Sequence, residues 1–227
     1  MLKCDFHIHT GEDRFESIPY TAKQLISKAA SLGYDVLSIT NHQNVFYNRE
    51  IASHANDKGI LLIPGAEKTI EGKEVLIINT SQDEVNRIRT LKDLGKLPKR
   101  SLVIAPHPYY IKRKCLGGLL EKNIHLFHGI EYCHFHAGII NLNRKAEQVA
   151  KRNNLPLVGS SDSHNFRQFG TTYSLVDSKK DIESVIAAVK KGRIKVSSKP
   201  LSVAVFTRIL IWSLVSPIIR QLRKIYK

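Results

Sequence analysis

Short apolar runs and amphipathic stretches alternate along most of the 227 residues. Residues 2–8, 36–40, 61–64, 75–78, 102–105, 126–131, 157–159 and 173–176 have the length and the β-branched content of strands. Residues 21–32, 49–58, 141–153 and 181–191 repeat apolar positions at helical spacing. In the first of these, Leu25, Ile26, Ala29 and Leu32 share one face. Gly33, Gly59 and Gly192 fall just past three of these stretches, where helix C-termini favour glycine. Repeated βα units predict an α/β fold with a mainly parallel sheet, open or closed into a barrel.

The tail breaks the rhythm. Residues 201–219 read LSVAVFTRILIWSLVSPII and are followed by RQLRKIYK. Eleven Leu, Ile, Val and Phe residues favour insertion by about 0.3 to 0.6 kcal/mol each, while one central Arg costs about 2.5 to 3.5, so a spanning helix is marginal. At 100° per residue, Leu210, Ile211, Leu214, Val215, Ile218, Leu222 and Ile225 share an apolar face, opposite Ser213, Ser216, Arg220, Arg223 and Lys227. This predicts two parts: a catalytic-looking domain over 1–199 and an amphipathic hydrophobic and basic extension over 200–227. The extension would lie on a membrane surface or pack on the domain or a second subunit.

Composition adds charge to this picture. Formal net charge is +15, concentrated at residues 96–100, 112–114, 190–199 and 220–227, which predicts attraction to polyanions such as nucleotides, nucleic acid or anionic lipid. Aromatic residues are only 7% of the chain, and no aromatic-rich basic groove of the single-strand-binding type is visible in the sequence. Cys4, Cys115 and Cys133 are an odd, scattered set, as expected of a reduced cytoplasmic protein. A His-x-His by residue 9 leaves no room for a leader before the first strand, which adds to that expectation.

The chemistry sits where the apolar runs end. His7-Ile8-His9 closes the first run, Thr40-Asn41-His42 the second, Glu67 follows the third, His107 follows residues 102–105, and Asp162-Ser163-His164 follows residues 157–159. His7 and His9 are two apart, so a strand points both to one side. A lone His-x-His is commonly a chance pair. Five polar groups, each directly after a buried strand, converge on one mouth and form a ligand set for several cations.

In this order HIHT, ITNH, PGAE, APHP and GSSDSH resemble the polymerase and histidinol phosphatase (PHP) domain family over roughly residues 3–197. The resemblance implies a distorted seven-stranded (β/α) barrel, TIM-like, holding two or three divalent ions of zinc, manganese, iron or magnesium. It implies a metal-bridged hydroxide that hydrolyses phosphomonoesters or phosphodiesters. By motif, His7, His9, Glu67 and Asp162 surround the first ion, and Glu67 bridges to a second that His107 also holds. His42 and His164 belong to a third, completed by Asp13 or by Glu12. Two positions depart from the pattern. Asn41 stands where relatives carry Asp, and Glu74 where many carry His; an oxygen ligand there would favour manganese or magnesium over zinc.

Residues 130–136 end another strand. His134 or His136 would bind substrate phosphate or donate a proton, and Arg167, next to the last motif, would clamp phosphate. The expected activity is therefore hydrolysis of a phosphorylated small molecule, a nucleotide or a nucleic acid end. The tail would add peripheral contact with the inner face of the membrane. The alternative from a different class is an accessory module whose metal site has partly decayed, recruited to membrane or nucleic acid. An amidohydrolase-like enzyme is disfavoured by the Asp162-x-His164 pair.

Overall fold

The computed structural model describes residues 1–137, 140–204, 206, 207 and 211. The strands are β1 (Leu2–Ile8), β2 (Val36–Ile39), β3 (Leu61–Leu62), β4 (Gly65–Ile70), β5 (Lys73–Ile78), β6 (Leu102–Ala105), β7 (Gly129–Tyr132), β8 (His136–Ala137), β9 (Ile140–Asn141), β10 (Leu157–Gly159), β11 (Thr172–Val176) and β12 (Ile194–Ser198). The helices are α1 (Ala22–Ser31), α2 (Arg49–Asp57), α3 (Gln82–Arg87), α4 (Gly118–Lys122), α5 (Arg144–Arg152) and α6 (Ile182–Lys190).

These strands form two five-stranded sheets, ordered β12-β11-β1-β2-β3 and β10-β7-β6-β5-β4, plus the β8–β9 pair. The expected seven-stranded closed barrel is therefore not what forms: among the described residues no sheet closes. Nor is the pairing mainly parallel. β1–β2, β2–β3, β6–β7 and β7–β10 are parallel, whereas β1–β11, β11–β12, β4–β5 and β5–β6 are antiparallel. The physical reason lies in two hairpins the apolar pattern does not announce. β4 reads GAEKTI, too polar to score as a strand, yet Glu71 and Gly72, both at positive φ, turn it tightly back into β5. β12, with sequence IKVSS, pairs antiparallel along all of β11.

The sheets nonetheless face one another. Cys4, Phe6 and Val36 from one and Leu76, Ile78, Leu102, Ile104 and Val158 from the other share a single core. Gly159 brings β10 against β11 so closely that a Cβ there would lie 2.4 Å from the Tyr173 carbonyl oxygen. At two points the sheets touch through single parallel bridges, Ile8 with Ser163 and His42 with Glu67. Both bridges involve residues of the predicted metal motifs, so the seam between the sheets is where the chemistry gathers.

Helices cover the outside. α1 and α2 bury Leu25, Ile26, Ala29, Ile51 and Ala55 against β2, and a Thr21/Gln24 capping box starts α1. Leu201 and Phe206, at the start of the tail, pack on Ala137 and Leu142. Apart from Ile211, which is exposed, the amphipathic face expected from residue 210 onward lies outside the described residues, and with it the membrane contact. Among the described residues, no helix is long and apolar enough to cross a membrane.

His128 supplies a pH handle remote from the metal motifs. Its Nδ1 accepts the Val103 N–H at 3.0 Å, and burial, with Lys190 nearby, pushes its pKa down to about 4. The unfolded chain takes up that proton near pH 6.5 and the folded chain only near 4. Stability from this group is thus complete above pH 6.5 and lost as pH falls towards 4. His128→Asn retains an acceptor and should flatten the decline of Tm over that window; an unchanged decline would contradict the assignment.

Candidate metal centre

Asp5, His7 and His9 share one face of β1 and its end, alternating with Cys4, Phe6 and Ile8, and all are fully buried. Glu67 comes from β4. The register pairs Thr69 with Glu74 and Glu67 with Leu76, so Glu74 on β5 points to the same side as Glu67. His42, His107 and Asp162 follow β2, β6 and β10 directly. His107 and Asp162 hold positive φ values, 26° and 45°, a strain typical of residues fixed for function.

Eight of the nine expected ligands meet in four overlapping groups: His7, His9 and Asp162; His7, Glu67 and His107; His9, Asp13 and His42; His42, Glu67 and Glu74. His7 Nε2 lies 3.4 Å from Asp162 Oδ1 and 3.2 Å from His9 Nε2. His7 Nε2 and His107 Nε2 each lie 3.5 Å from Glu67 Oε1. His42 Nε2 is 3.2 Å from Glu67 Oε2 and 3.9 Å from Glu74 Oε1.

These spacings fit divalent cations. Glu67 Oε1 is buried without a hydrogen-bond donor. Two ligands about 2.1 Å from one tetrahedral ion stand roughly 3.4 Å apart, close to the separations between these nitrogens and oxygens. Burial alone would strip the charges. Instead, Glu131, Asp162 and Glu67 outweigh burial and raise the His7 pKa well above its usual value, and the histidines hold Glu67 and Asp162 far below the carboxylate range. His42 is raised to about 9 against the pull of burial, by Glu67 and Asp13.

The sequence left Asp13 and Glu12 as alternatives, and the fold separates them. Asp13 Oδ2 sits 2.8 Å from His42 Nδ1 and 3.3 Å from His9 Nδ1, while the Glu12 carboxylate accepts the Ala22 N–H at the start of α1. His164 joins none of the four groups. Its ring lies 4.6 Å from that of His9, and its Nε2 lies 3.0 Å from Glu16, an acid the motif reading passed over. Asn41 carries its departure well: Oδ1 accepts the Thr10 N–H at 2.9 Å and Nδ2 donates to Thr10 Oγ1 at 3.0 Å, fixing the turn after His9. Glu74 is shared, because Lys114 Nζ lies 2.7 Å from its Oε1.

His134 is fully buried and stays outside the groups. Its Nδ1 donates to the Ser161 carbonyl, Gln168 Nε2 approaches its Nε2 at 3.4 Å, and burial pushes its pKa down to about 4. His136 bonds Ser198 Oγ at 2.7 Å. Arg167 is exposed. Two lysines flank the centre: Lys114 pairs with Glu74, and Lys112, whose charge burial works against, has its pKa raised by Asp162, Glu74, Glu16 and Glu67. Their loop is pinned to the centre at both ends, by His107 and by the pairs Lys114–Glu74 and Cys115 Sγ–His107 Nδ1.

The residue most plainly missed in sequence is Glu131, on β7. Oε1 accepts the His7 Nδ1 proton at 2.8 Å and Oε2 accepts the His107 backbone N–H at 2.7 Å. Only its place at a strand end hinted at this.

Fold and site together define a class: an α/β protein that assembles a buried, multi-histidine and multi-carboxylate cation site at strand ends. Residues 141–194 match the family model described as PHP-associated. No curated protein matches the chain. Among solved structures, PsfC from Pseudomonas syringae superposes with a TM-score of 0.63 at 18% identity, covering 95% of this chain and 97% of that one. An amidohydrolase from Chromobacterium violaceum, with bound sulfate and no metal, gives 0.56 at 15% identity over 85% of this chain and 97% of its own. Endonuclease Q, bound to a duplex with an abasic lesion at the active site, gives 0.56 at 13% identity; the match covers 84% of this chain and 55% of that one. The family-model match and the shared fold support the PHP domain family for this chain.

Proposed function

We propose that the chain is a metal-dependent hydrolase acting on phosphoesters. The observation that carries the reading is Glu67, whose two oxygens belong to two cation-sized groups and face four imidazoles. His7, His9 and Asp162 would hold one ion, with Glu67 and His107 extending the centre on one side and Asp13 and His42 on the other. Bound cations would lower the pKa of water and offset charge on phosphoryl oxygens. The chain's own residues do the rest. Glu131 keeps the His7 proton on Nδ1, leaving Nε2 as a lone-pair donor. Lys112 presents an ammonium to an incoming phosphate. His134 and Asn41 hold the loops that carry Asp162 and His9.

The test is a panel of phosphomonoesters, phosphodiesters and amides offered to the chain loaded with Mn²⁺ or Zn²⁺. Phosphoester turnover that His7→Ala abolishes is expected. Turnover of amides alone, or a variant equal to the parent, would reject the reading. One observation favours the accessory-module alternative: Lys114 already neutralises Glu74. Metal analysis tests it, since a decayed site would hold under one ion per molecule.

A further inference from the structure

The sequence shows no aromatic and basic groove, but the fold builds one from residues some 140 positions apart. Lys23, Gln24, Ser27 and Lys28 on the outer face of α1 and the ring of Phe166 line a shallow groove of about 520 Å³. Lys23 and Ser27, like Gln24 and Lys28, are four apart, so the helix presents them side by side. Phe166 is 40% exposed, yet its ring is fixed, stacked on Tyr20 at 4.3 Å with planes 14° apart. Tyr20 in turn bonds Ser163, its hydroxyl donating to the carbonyl oxygen at 2.9 Å. The groove is thus tied to the residue between Asp162 and His164, and Phe166 stands within about 7 Å of chain from His164.

We propose that this groove is a subsite for single-stranded nucleic acid, whose terminal phosphoester enters the metal centre while a neighbouring base stacks on Phe166. The inference rests on the phosphoesterase reading. Three features select this occupant over a mononucleotide or a protein. A fixed, exposed aromatic face beside lysines is the combination that holds unstacked bases and their backbone. The charge is complementary: Lys23 pairs with Glu50 at 2.6 Å, but Lys28 has no ionic partner among the described residues, and exposed Arg167 adjoins Phe166. Finally, the lining runs along residues 23–28 of α1, about 8 Å of helix, which gives a strand room for more than one nucleotide. Phe15, 58% exposed and with its ring centroid 6.4 Å from that of His42, offers a second aromatic surface at the mouth.

The experiment uses the full chain in chelator, so that binding is read without turnover. Anisotropy of a fluorescein-labelled oligothymidylate of about 12 nucleotides is followed against salt. Phe166→Ala should weaken binding roughly 5- to 150-fold, the loss of one stacked base. Because Phe166 also supports Tyr20, the independent variant is Lys28→Gln on the exposed helix face, which should reduce the slope of log K against log salt by about 0.7. With Mn²⁺ added, Phe166→Ala should lose more kcat/KM on a phosphorylated oligonucleotide than on an aryl phosphate. Weakened binding in both variants without any phosphoester turnover would uphold the groove and reject the hydrolase reading. Aryl phosphate turnover with oligonucleotide binding no tighter than that of thymidine monophosphate, or untouched by either variant, would overturn the groove.

Discussion

Replacing Glu67 by Gln is expected to empty the centre of metal and to cut turnover by roughly a thousandfold. Glu67 contributes an oxygen to two of the four ligand groups, and it stands within 3.5 Å of imidazole nitrogens from His7, His9, His42 and His107. An amide fits the space, but it removes the charge that two adjacent cations would share. Losing several kcal/mol of charge stabilisation, with each 1.36 kcal/mol a factor of ten, gives that estimate. Stability offers a readout independent of activity. A ligand that binds only the folded state at about 100 times its Kd stabilises by about 2.7 kcal/mol, so Mn²⁺ or Zn²⁺ should raise the Tm of the parent chain markedly. The variant should show little of that rise. Equal metal content and equal metal-induced Tm shifts in parent and variant would refute the role of Glu67.

Glu131→Gln should raise the apparent Kd for metal by about 10- to 100-fold while leaving the chain folded. Both Glu131 oxygens accept: one from His7 Nδ1, the other from the His107 backbone N–H, which sits at a strained positive φ. A glutamine has one accepting oxygen and an NH₂ that only donates. If the oxygen stays with His7, the His107 N–H faces another donor and loses its partner. If it turns to His107, the His7 proton must move to Nε2, the atom that points at Glu67 and Asp162. Either outcome damages a ligand without touching an ion, as outer partners of metal-bound histidines typically do. Isothermal titration with Zn²⁺, beside circular dichroism of the same samples, reads affinity and fold together. An unaltered Kd would show that Glu131 is merely a buried acid paired for stability.

The sequence by itself determined most of the candidate ligands and the strand ends that carry them. Runs such as LVIA and VLSI are buried on both faces and almost wholly apolar, so burial along a strand leaves little choice of structure, and a polar group just past the run must emerge at the edge of the core. His7, His9, Glu67, His107 and Asp162 follow from that rule. Tertiary structure decided what period and composition do not encode. GAEKTI became a strand only because its backbone pairs with β5, and β11 and β12 pair antiparallel, so two sheets meet at single bridges instead of one closed barrel. The choice between Asp13 and Glu12 rested on which way a loop turns. Arg167, adjacent to the motif in sequence, points to solvent, whereas Lys112, on a loop pinned at His107 and Glu74, faces the carboxylates. Glu131 and the pairing of Phe166 with α1 are long-range contacts, set by how elements pack and not by anything written near them in the chain.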